Sequence, residues 1–208
     1  MKWLSCETQV LKRIVTSKQL LANTICFALD SAFPHPEHAF AQDILVAVNV
    51  PREALALPPG RKPGDVDLLL VPYRDRPMPE RAIAIEAKVV RPTVEKPSRN
   101  VNSMGRRQAL GLLEDGFPFV GLLHIVVPES LPEEHHLRVP VCDNKLDKAG
   151  KLKETGEYMS VDPFPLASAR RQEGRLKALA LPEPVAFKSI AFGLNVESYG
   201  DFWCMEAG

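Results

Sequence analysis

The sequence predicts an α/β protein, a sandwich in which helices flank both faces of a central mixed β-sheet. Four apolar runs have the length and composition of buried strands. They are residues 43–50, 66–73, 82–90 and 119–127. Three segments with helical character surround these runs, at residues 5–33, 103–115 and 165–180. Strands that are apolar on both sides need cover on both faces, so we expect helices above and below the sheet.

Length and composition agree with this prediction. The chain has 208 residues, of which 45% are hydrophobic and 25% charged, as in globular proteins of one domain. We therefore expect a single domain over residues 1–208. Proline is frequent, at 19 residues, and proline truncates helices and central strands. We expect short elements joined by many loops.

The first elements are a helix and a strand. Thr16 and Gln19 have the spacing of a capping box, and apolar residues from Leu21 to Leu29 then fall on one helical face. Pro34 ends this pattern, because proline cannot continue a helix. The run Asp43 to Val50 predicts a buried strand that stops at Pro51.

A β-hairpin, a helix and a strand follow. The runs 66–73 and 82–90 are separated by a polar segment with two prolines, a pattern typical of a hairpin. Ser103 can cap a helix that continues to about Asp115, with Ala109, Leu110 and Leu113 facing inward. Residues 119–127 predict another buried strand.

The remaining chain gives a weaker pattern. Residues 128–163 lack periodicity, and Glu129 to Asp162 reads as a long, charged insertion that is functional or partly mobile. A helix is expected over 165–180 and a last strand over 185–194.

Charge and hydropathy limit the function classes. Lys plus Arg equals Asp plus Glu at 26 each, which excludes a uniformly basic surface but leaves a local basic face open. No apolar run reaches the roughly 18 residues that cross a bilayer, and the N-terminus becomes charged too early for a signal peptide. We expect a cytoplasmic protein with no membrane partner. The four cysteines form no CxxC pair, so we expect free and mostly buried thiols.

The hairpin carries the chemistry. Asp67, Glu86 and Lys88 lie within strands that are otherwise apolar, where a charge without a partner is costly. Glu86 and Lys88 are two residues apart, so they leave the same face of one strand. If the turn is centred between Arg76 and Pro77, paired residue numbers sum to 153, and Asp67 lies opposite Glu86.

Opposed residues have Cβ atoms about 5 Å apart, and two carboxylates at that separation repel each other unless a cation lies between them. A divalent metal meets this need, since Asp67 and Glu86 offer hard oxygen ligands for Mg²⁺ or Mn²⁺. Such a site is suited to metal-assisted hydrolysis of a phosphodiester. Lys88 would orient or help deprotonate the attacking water and screen charge on the phosphate.

The stretch GDVDLLLV, a gap of 18 residues and then IEAK resembles the PD-(D/E)XK nuclease superfamily. The resemblance implies a restriction endonuclease-like fold whose core runs helix, three-stranded meander, helix, strand. It gives Asp67 the role of the metal aspartate, and Glu86 and Lys88 the E-x-K roles. It also implies the backbone carbonyl of Ala87 as a metal ligand and a catalytic glutamine, here Gln108, in the following helix.

Many relatives add an acid from the first helix, and Glu7, Asp30 and Glu37 all remain open for that role. The resemblance covers about residues 5–127. The C-terminal part, residues 128–208, is an elaboration of this core.

Basic residues gather beside the proposed site. From Lys88 to Arg107 the chain has six basic residues and a single acid. A phosphate backbone would contact such side chains, although a solvated basic loop is an equal alternative. The candidates for binding nucleic acid are Arg91, Lys96, Arg99, Arg106 and Arg107. Two further basic patches either extend this surface or are ordinary solvated surface: Lys145, Lys148, Lys151 and Lys153, and Arg170, Arg171 and Arg175.

Other polar residues favour structural explanations. Asp65 reads as a solvated acid at a strand start more than as a second metal ligand. His124 lies in an apolar strand, where a hydrogen-bonded core histidine is more frequent than a catalytic one. A zinc site is not favoured, because adjacent histidines point apart and the spacing fits no standard site. The residues in question are Glu133, Glu134, His135, His136 and Cys142.

The sequence thus predicts a Mg²⁺-dependent deoxyribonuclease, an endonuclease acting on DNA, with RNA as an open substrate. The alternative is a catalytically silent nuclease-fold subunit that binds or scaffolds. A homodimer or a place in a larger complex is compatible with both.

Overall fold

The structure is a computed structural model. It describes residues 6–18, 20–21, 43–58, 64–97, 104–146, 148–193 and 203–206. The strands are β1 (Asp43–Val50), β2 (Val66–Tyr73), β3 (Ile83–Val90), β4 (Phe119–Val126), β5 (Leu137–Leu146), β6 (Leu152–Val161), β7 (Val185–Gly193) and β8 (Trp203–Glu206). The helices are α1 (Glu7–Thr16), α2 (Arg106–Glu114) and α3 (Phe164–Lys177).

A mixed sheet forms the centre, with strand order β1-β2-β3-β4-β7-β8. Strands β1, β2 and β3 form an antiparallel meander, whereas β3, β4 and β7 run parallel to one another. Each of the four predicted apolar runs forms one of these strands. The predicted α/β sandwich is confirmed at this level.

Helix α1 covers one face of the sheet. Its side chains Val10, Leu11 and Ile14 are fully buried against a cluster that includes Leu68 and Ile85. These residues are spaced three and four apart, so a single helical stripe meets the sheet. This packing fixes the position of the first turn of α1 relative to β3.

Helices α2 and α3 cover the opposite face. Leu112 of α2 and Leu176 of α3 are fully buried in a second cluster with Ala84 and Leu122. Strand β3 is therefore covered on both sides, which explains why its sequence is apolar at nearly every position. A charged residue in this strand lies in an environment of low polarity.

The N-terminal helix ends earlier than predicted. Thr16 does not cap a helix, because its Oγ1 donates to the carbonyl of Arg13 at 3.1 Å. Ser17 caps the helical residues that follow it instead. Its Oγ accepts the N–H of Leu20 at 3.3 Å. Neighbouring hydroxyl residues offer the same chemistry, so the spacing alone did not select between them. Most of the continuation to Phe33 lies outside the described residues.

The start of α2 also differs from the prediction. Ser103 lies outside the described residues, and the helix begins at Arg106 after Gly105, whose φ is +81°. Ala109 faces inward as predicted, but Leu112 is the fully buried leucine, while Leu110 and Leu113 are partly buried at the edge of the cluster.

Residues 137–161 form a two-stranded antiparallel hairpin, where the sequence indicated a charged loop. We call this hairpin the β5–β6 arm. Nearly all of its residues are exposed, so the polar and apolar side chains do not alternate as they do on a half-buried strand. This exposure is the reason that the pattern was not visible.

The structure bears on the expectations for the cysteines and for membrane-spanning helices. Cys6 and Cys142 are free thiols, as expected, but both are exposed rather than buried. Among the described helices, none has the length and apolar character that crossing a bilayer requires.

A buried ion pair ties the loop after β1 to the end of α2. The Arg52 guanidinium donates two hydrogen bonds of 2.7 Å to the Asp115 carboxylate, and its Nε donates to the carbonyl of Pro58 at 3.0 Å. The two charged side chains are only 4% and 5% exposed. Breaking such a pair leaves a charge buried without its partner.

We predict that Asp115→Ala lowers the free energy of unfolding by about 3–5 kcal/mol, because it leaves the Arg52 guanidinium uncompensated. Urea denaturation measures this loss. Asp143→Ala is the control, since it removes an exposed ion pair with Lys145 and should cost less than about 1 kcal/mol. Equal losses in the two variants would contradict a structural role for the buried pair.

Candidate active site

The hairpin register brings the predicted acids together. Leu68 pairs with Ile85 and Leu70 with Ile83, so the predicted register is confirmed. At the next residue, Asp67, a side chain contacts β3 in place of the backbone. Its Oδ2 accepts the backbone N–H of Ala87 at 2.9 Å. Asp67 is thereby held against the part of β3 that carries Glu86 and Lys88.

The ammonium of Lys88 lies among three carboxylates. It forms a close ion pair with Glu86 Oε1, and it lies 3.7 Å from Glu7 Oε1 and 3.8 Å from Asp67 Oδ2. The Glu86 side chain is only 1% exposed, whereas the other three are 18–34% exposed. The cluster thus has a buried floor and an open side.

Glu7, the first residue of α1, completes the cluster. Its Oε2 accepts the backbone N–H of Val89 at 3.1 Å, which fixes the carboxylate beside Lys88. Of the three acids that the sequence left open, the structure therefore places Glu7 at the site. Asp30 and Glu37 lie outside the described residues.

Burial and mutual repulsion disfavour the ionised carboxylates. Burial, together with the nearby Asp67 charge, raises the pKa of Glu86 to about 7. Burial likewise raises the pKa of Asp67, against the opposing effects of the Ala87 N–H and of Lys88. Burial alone would lower the pKa of Lys88, but Glu86, Asp67 and Glu7 outweigh it and raise that pKa. Lys88 is therefore a firmly protonated cation.

The donor set is one of hard oxygen atoms. The buried Glu86 Oε1 forms its close ion pair with the Lys88 ammonium. Asp67, Glu86 and the Ala87 carbonyl fit the preferences of Mg²⁺ and Mn²⁺. In the described part of the chain, no three His, Cys, Asp or Glu side chains converge as a ready-made metal site. The carboxylates surround the Lys88 ammonium instead.

The turn before α2 forms one wall of the site. Gly105 lies so close that a Cβ atom there would come within 2.7 Å of Leu122 Cδ1 and 3.3 Å of Glu86 Cγ. Its φ of +81° also favours glycine. Glycine at this position therefore lets the helix start approach Glu86 and Lys88 directly.

His124 holds this turn in place. Its Nε2 donates to the carbonyl of Met104 at 2.9 Å, and its Nδ1 accepts from the amide of Gln172 at 2.7 Å. A carbonyl can only accept, so these partners select the neutral Nε2–H tautomer. Burial lowers the pKa of His124 to about 4, in keeping with the neutral form. His124 is the hydrogen-bonded core histidine that the sequence favoured.

Of the predicted nucleic-acid-binding residues, Arg106 and Arg107 begin α2, and Arg91 and Lys96 lie in the segment after β3. Lys96, Arg106 and Arg107 are exposed and Arg91 is half-buried, whereas Arg99 lies outside the described residues. Gln108 is half-buried in the first turn of α2, and its catalytic role stays a prediction.

Two minor candidates have ordinary surroundings. Asp65 is exposed in the bend before β2. His136 has a partner at each ring nitrogen, Ser160 Oγ at 3.1 Å and the Leu131 carbonyl at 3.1 Å.

Two buried polar residues of α3 were missed. Gln172 holds His124, and Glu173 Oε2 accepts the backbone N–H of Ser189 in β7 at 2.6 Å. Both lie on the face that α3 turns to the sheet. One feature of the sequence could have indicated Gln172. A buried histidine such as His124 needs a hydrogen-bond partner at each ring nitrogen.

Comparison with known proteins adds no family to this picture. No family model matches the chain, and no curated protein matches it significantly.

We predict that His124 makes stability depend on pH. Its pKa is about 4 in the folded chain and about 6.5 when unfolded, so the unfolded chain binds the proton more readily. This contribution is fully present above pH 6.5 and is lost as the pH falls through 4, by on the order of 3 kcal/mol.

Urea unfolding at several pH values tests this prediction. His124→Gln should have a smaller loss of stability than the parent between pH 6.5 and 4. His135→Gln, which changes an exposed histidine, should behave like the parent. A parental pH dependence in His124→Gln would refute the assignment.

Proposed function

We propose that this protein is a Mg²⁺-dependent nuclease that hydrolyses phosphodiester bonds in DNA. One observation carries the proposal. Three carboxylates, Glu7, Asp67 and Glu86, meet a single ammonium at the end of β3. When all four groups are ionised, the cluster has a formal charge of minus two, which one divalent cation would balance.

Asp67, Glu86 and the carbonyl of Ala87 would hold the ion. Mg²⁺, for which Mn²⁺ can substitute, would supply Lewis acidity toward the scissile phosphate. The raised pKa of Glu86 fits this role, because a carboxylate that is costly to ionise alone gains most from a bound cation.

The side chains divide the remaining work. An attacking water forms the new bond to phosphorus, the bond to the leaving sugar oxygen breaks, and the proton that the water loses is balanced by the one that the leaving oxygen gains. Lys88 is protonated, so it acts as a hydrogen-bond donor that orients the water and stabilises charge on the phosphate. Glu7 positions Lys88 through their contact at the open side of the cluster.

The fold and the surface support the same function. The order α1, β1, β2, β3, α2, β4 is the order that the restriction endonuclease-like resemblance implies. The exposed Lys96, Arg106 and Arg107 follow the site in sequence and offer contacts for a phosphate backbone.

A second candidate is a nuclease-fold subunit that binds or scaffolds without cutting. The specific observation in its favour is the ion pair of Glu86 with Lys88, which already compensates the most buried carboxylate internally. Such a subunit could act as a homodimer or in a larger complex. It differs from the nuclease in one outcome, the absence of metal-dependent cleavage.

We predict that the purified protein cleaves DNA in Mg²⁺ or Mn²⁺ and not in EDTA. Lys88→Ala should lower the cleavage rate by about 100-fold or more, because it removes a charge that stabilises the transition state. Asp67→Asn keeps an acceptor for the Ala87 N–H but loses the charge, and it should lower the rate similarly. Gel assays with single- and double-stranded DNA and RNA measure these rates.

Asp75→Asn is the matched control, since Asp75 is exposed in the turn between β2 and β3. It should cleave at the parental rate. Metal-independent cleavage, or parental rates in Lys88→Ala and Asp67→Asn, would contradict the nuclease proposal. Failure of the folded parent to cut any substrate would favour the scaffold.

A further inference from the structure

The β5–β6 arm stands apart from the sandwich. Its strands pack chiefly on each other, and residues 152–160 are all exposed. Ten residues of strand extend about 30 Å. An element of this length that buries so little of its own surface contributes little to the core, so another role has to account for it.

The turn of the arm presents a group of lysines. Residues 145–153 contain four lysines and a single acid, Asp147, while Asp143, which pairs with Lys145, and Glu154 flank this stretch. The lysines are all exposed, and the Lys145 side chain is 81% exposed. This density of positive charge is local, because the chain as a whole is neutral. The tip is therefore complementary to a polyanion.

Two leucines lie between these lysines. Leu146 and Leu152 pair across the hairpin, and they are 65% and 54% exposed. Water solvates such side chains poorly, so their exposure together at one tip calls for a binding partner. Protein-binding surfaces exclude charge from their apolar centres, whereas here lysines adjoin both leucines. Apolar side chains flanked by basic ones match proteins that insert wedges between base steps from the minor groove.

The segment that leads into the arm is bonded to the end of β3, beside the acidic cluster formed by Glu7, Asp67 and Glu86 around Lys88. The N–H of Val127 donates to the carbonyl of Val90 at 2.8 Å, just beyond Lys88. Asp162, which follows the arm, accepts the N–H of Leu131, which precedes the arm, at 3.0 Å. It also accepts the N–H of Phe164 at the start of α3, at 2.9 Å. The arm thus projects from a fixed root at the end of the sheet where β3 presents its charges.

We propose that the β5–β6 arm grips duplex DNA, with the tip lysines on the phosphates and Leu146 and Leu152 inserted as a wedge in the minor groove. The arm would hold and bend the DNA that the acidic cluster cuts. The inference rests on the proposed function only in naming the same class of substrate. Binding can be measured without cleavage, so the two proposals can fail separately.

The test uses the full chain carrying Glu86→Gln, in EDTA, with a labelled DNA duplex of 20 base pairs. Fluorescence anisotropy over a range of salt concentrations gives the affinity and its salt dependence. Energy transfer between dyes at the duplex ends reports bending. Lys148→Glu with Lys153→Glu should weaken binding by about 10-fold or more and lower the salt slope by about two.

Leu146→Ala with Leu152→Ala should abolish bending while it leaves the salt slope unchanged. The control is Lys12→Glu with Lys177→Glu, which makes the same charge change at exposed sites on α1 and α3 and should bind as tightly as the parent. Thermal melting verifies that every variant is folded.

Several outcomes would overturn the proposal. They are arm variants that bind and bend DNA like the control, a parent that does not bind the duplex, or lysine-dependent binding to vesicles containing phosphatidylserine in place of DNA. If DNA binding depends on the arm but the protein never cleaves, the arm proposal is supported and the nuclease proposal is rejected. If the arm variants bind and cleave DNA like the parent, the nuclease proposal is supported and the arm proposal is rejected.

Discussion

The contact of one ammonium with three carboxylates is the constraint that the rest of the site satisfies. Glu86 is almost completely buried, and an uncompensated charge at such a depth would cost several kcal/mol. Lys88 meets that cost in part, and backbone N–H groups of β3 hold Asp67 and Glu7 at the required places. The elements α1, β2 and β3 therefore have an electrostatic as well as a packing role.

Three independent features of the fold bring the charged side chains and the wall of the site together around Lys88. The β2–β3 register sets Asp67 against β3, and the apolar stripe of α1 brings its first residue, Glu7, over the strand end. The turn at Gly105 brings the start of α2 onto Glu86 and Lys88, with His124 holding the preceding carbonyl. A buried histidine in β4 thus contributes to the site without touching the carboxylates, through the backbone that it fixes.

Much of this could be predicted from the sequence, because the signals were local. Two apolar runs with a short polar connection determine a hairpin register, and the register determines that Asp67 faces Glu86. Glu7 could not be selected, since three acids near the N-terminus offered the same chemistry and the packing of α1 is what places Glu7 beside β3. The Arg52–Asp115 pair and the Gln172–His124 contact link residues far apart in the chain, where no periodicity reports proximity. The β5–β6 arm escaped prediction because an exposed hairpin lacks the alternation that a core imposes.

Isothermal titration of the protein with Mn²⁺ shows whether the three carboxylates bind a divalent cation. Mn²⁺ would have to draw Glu86 and Asp67 away from Lys88. We expect one Mn²⁺ bound per chain, loss of that binding in Glu86→Gln, and binding at least as tight in Lys88→Ala, where no ammonium competes. A parent that releases no heat with Mn²⁺, or a Glu86→Gln variant that binds Mn²⁺ like the parent, would contradict it.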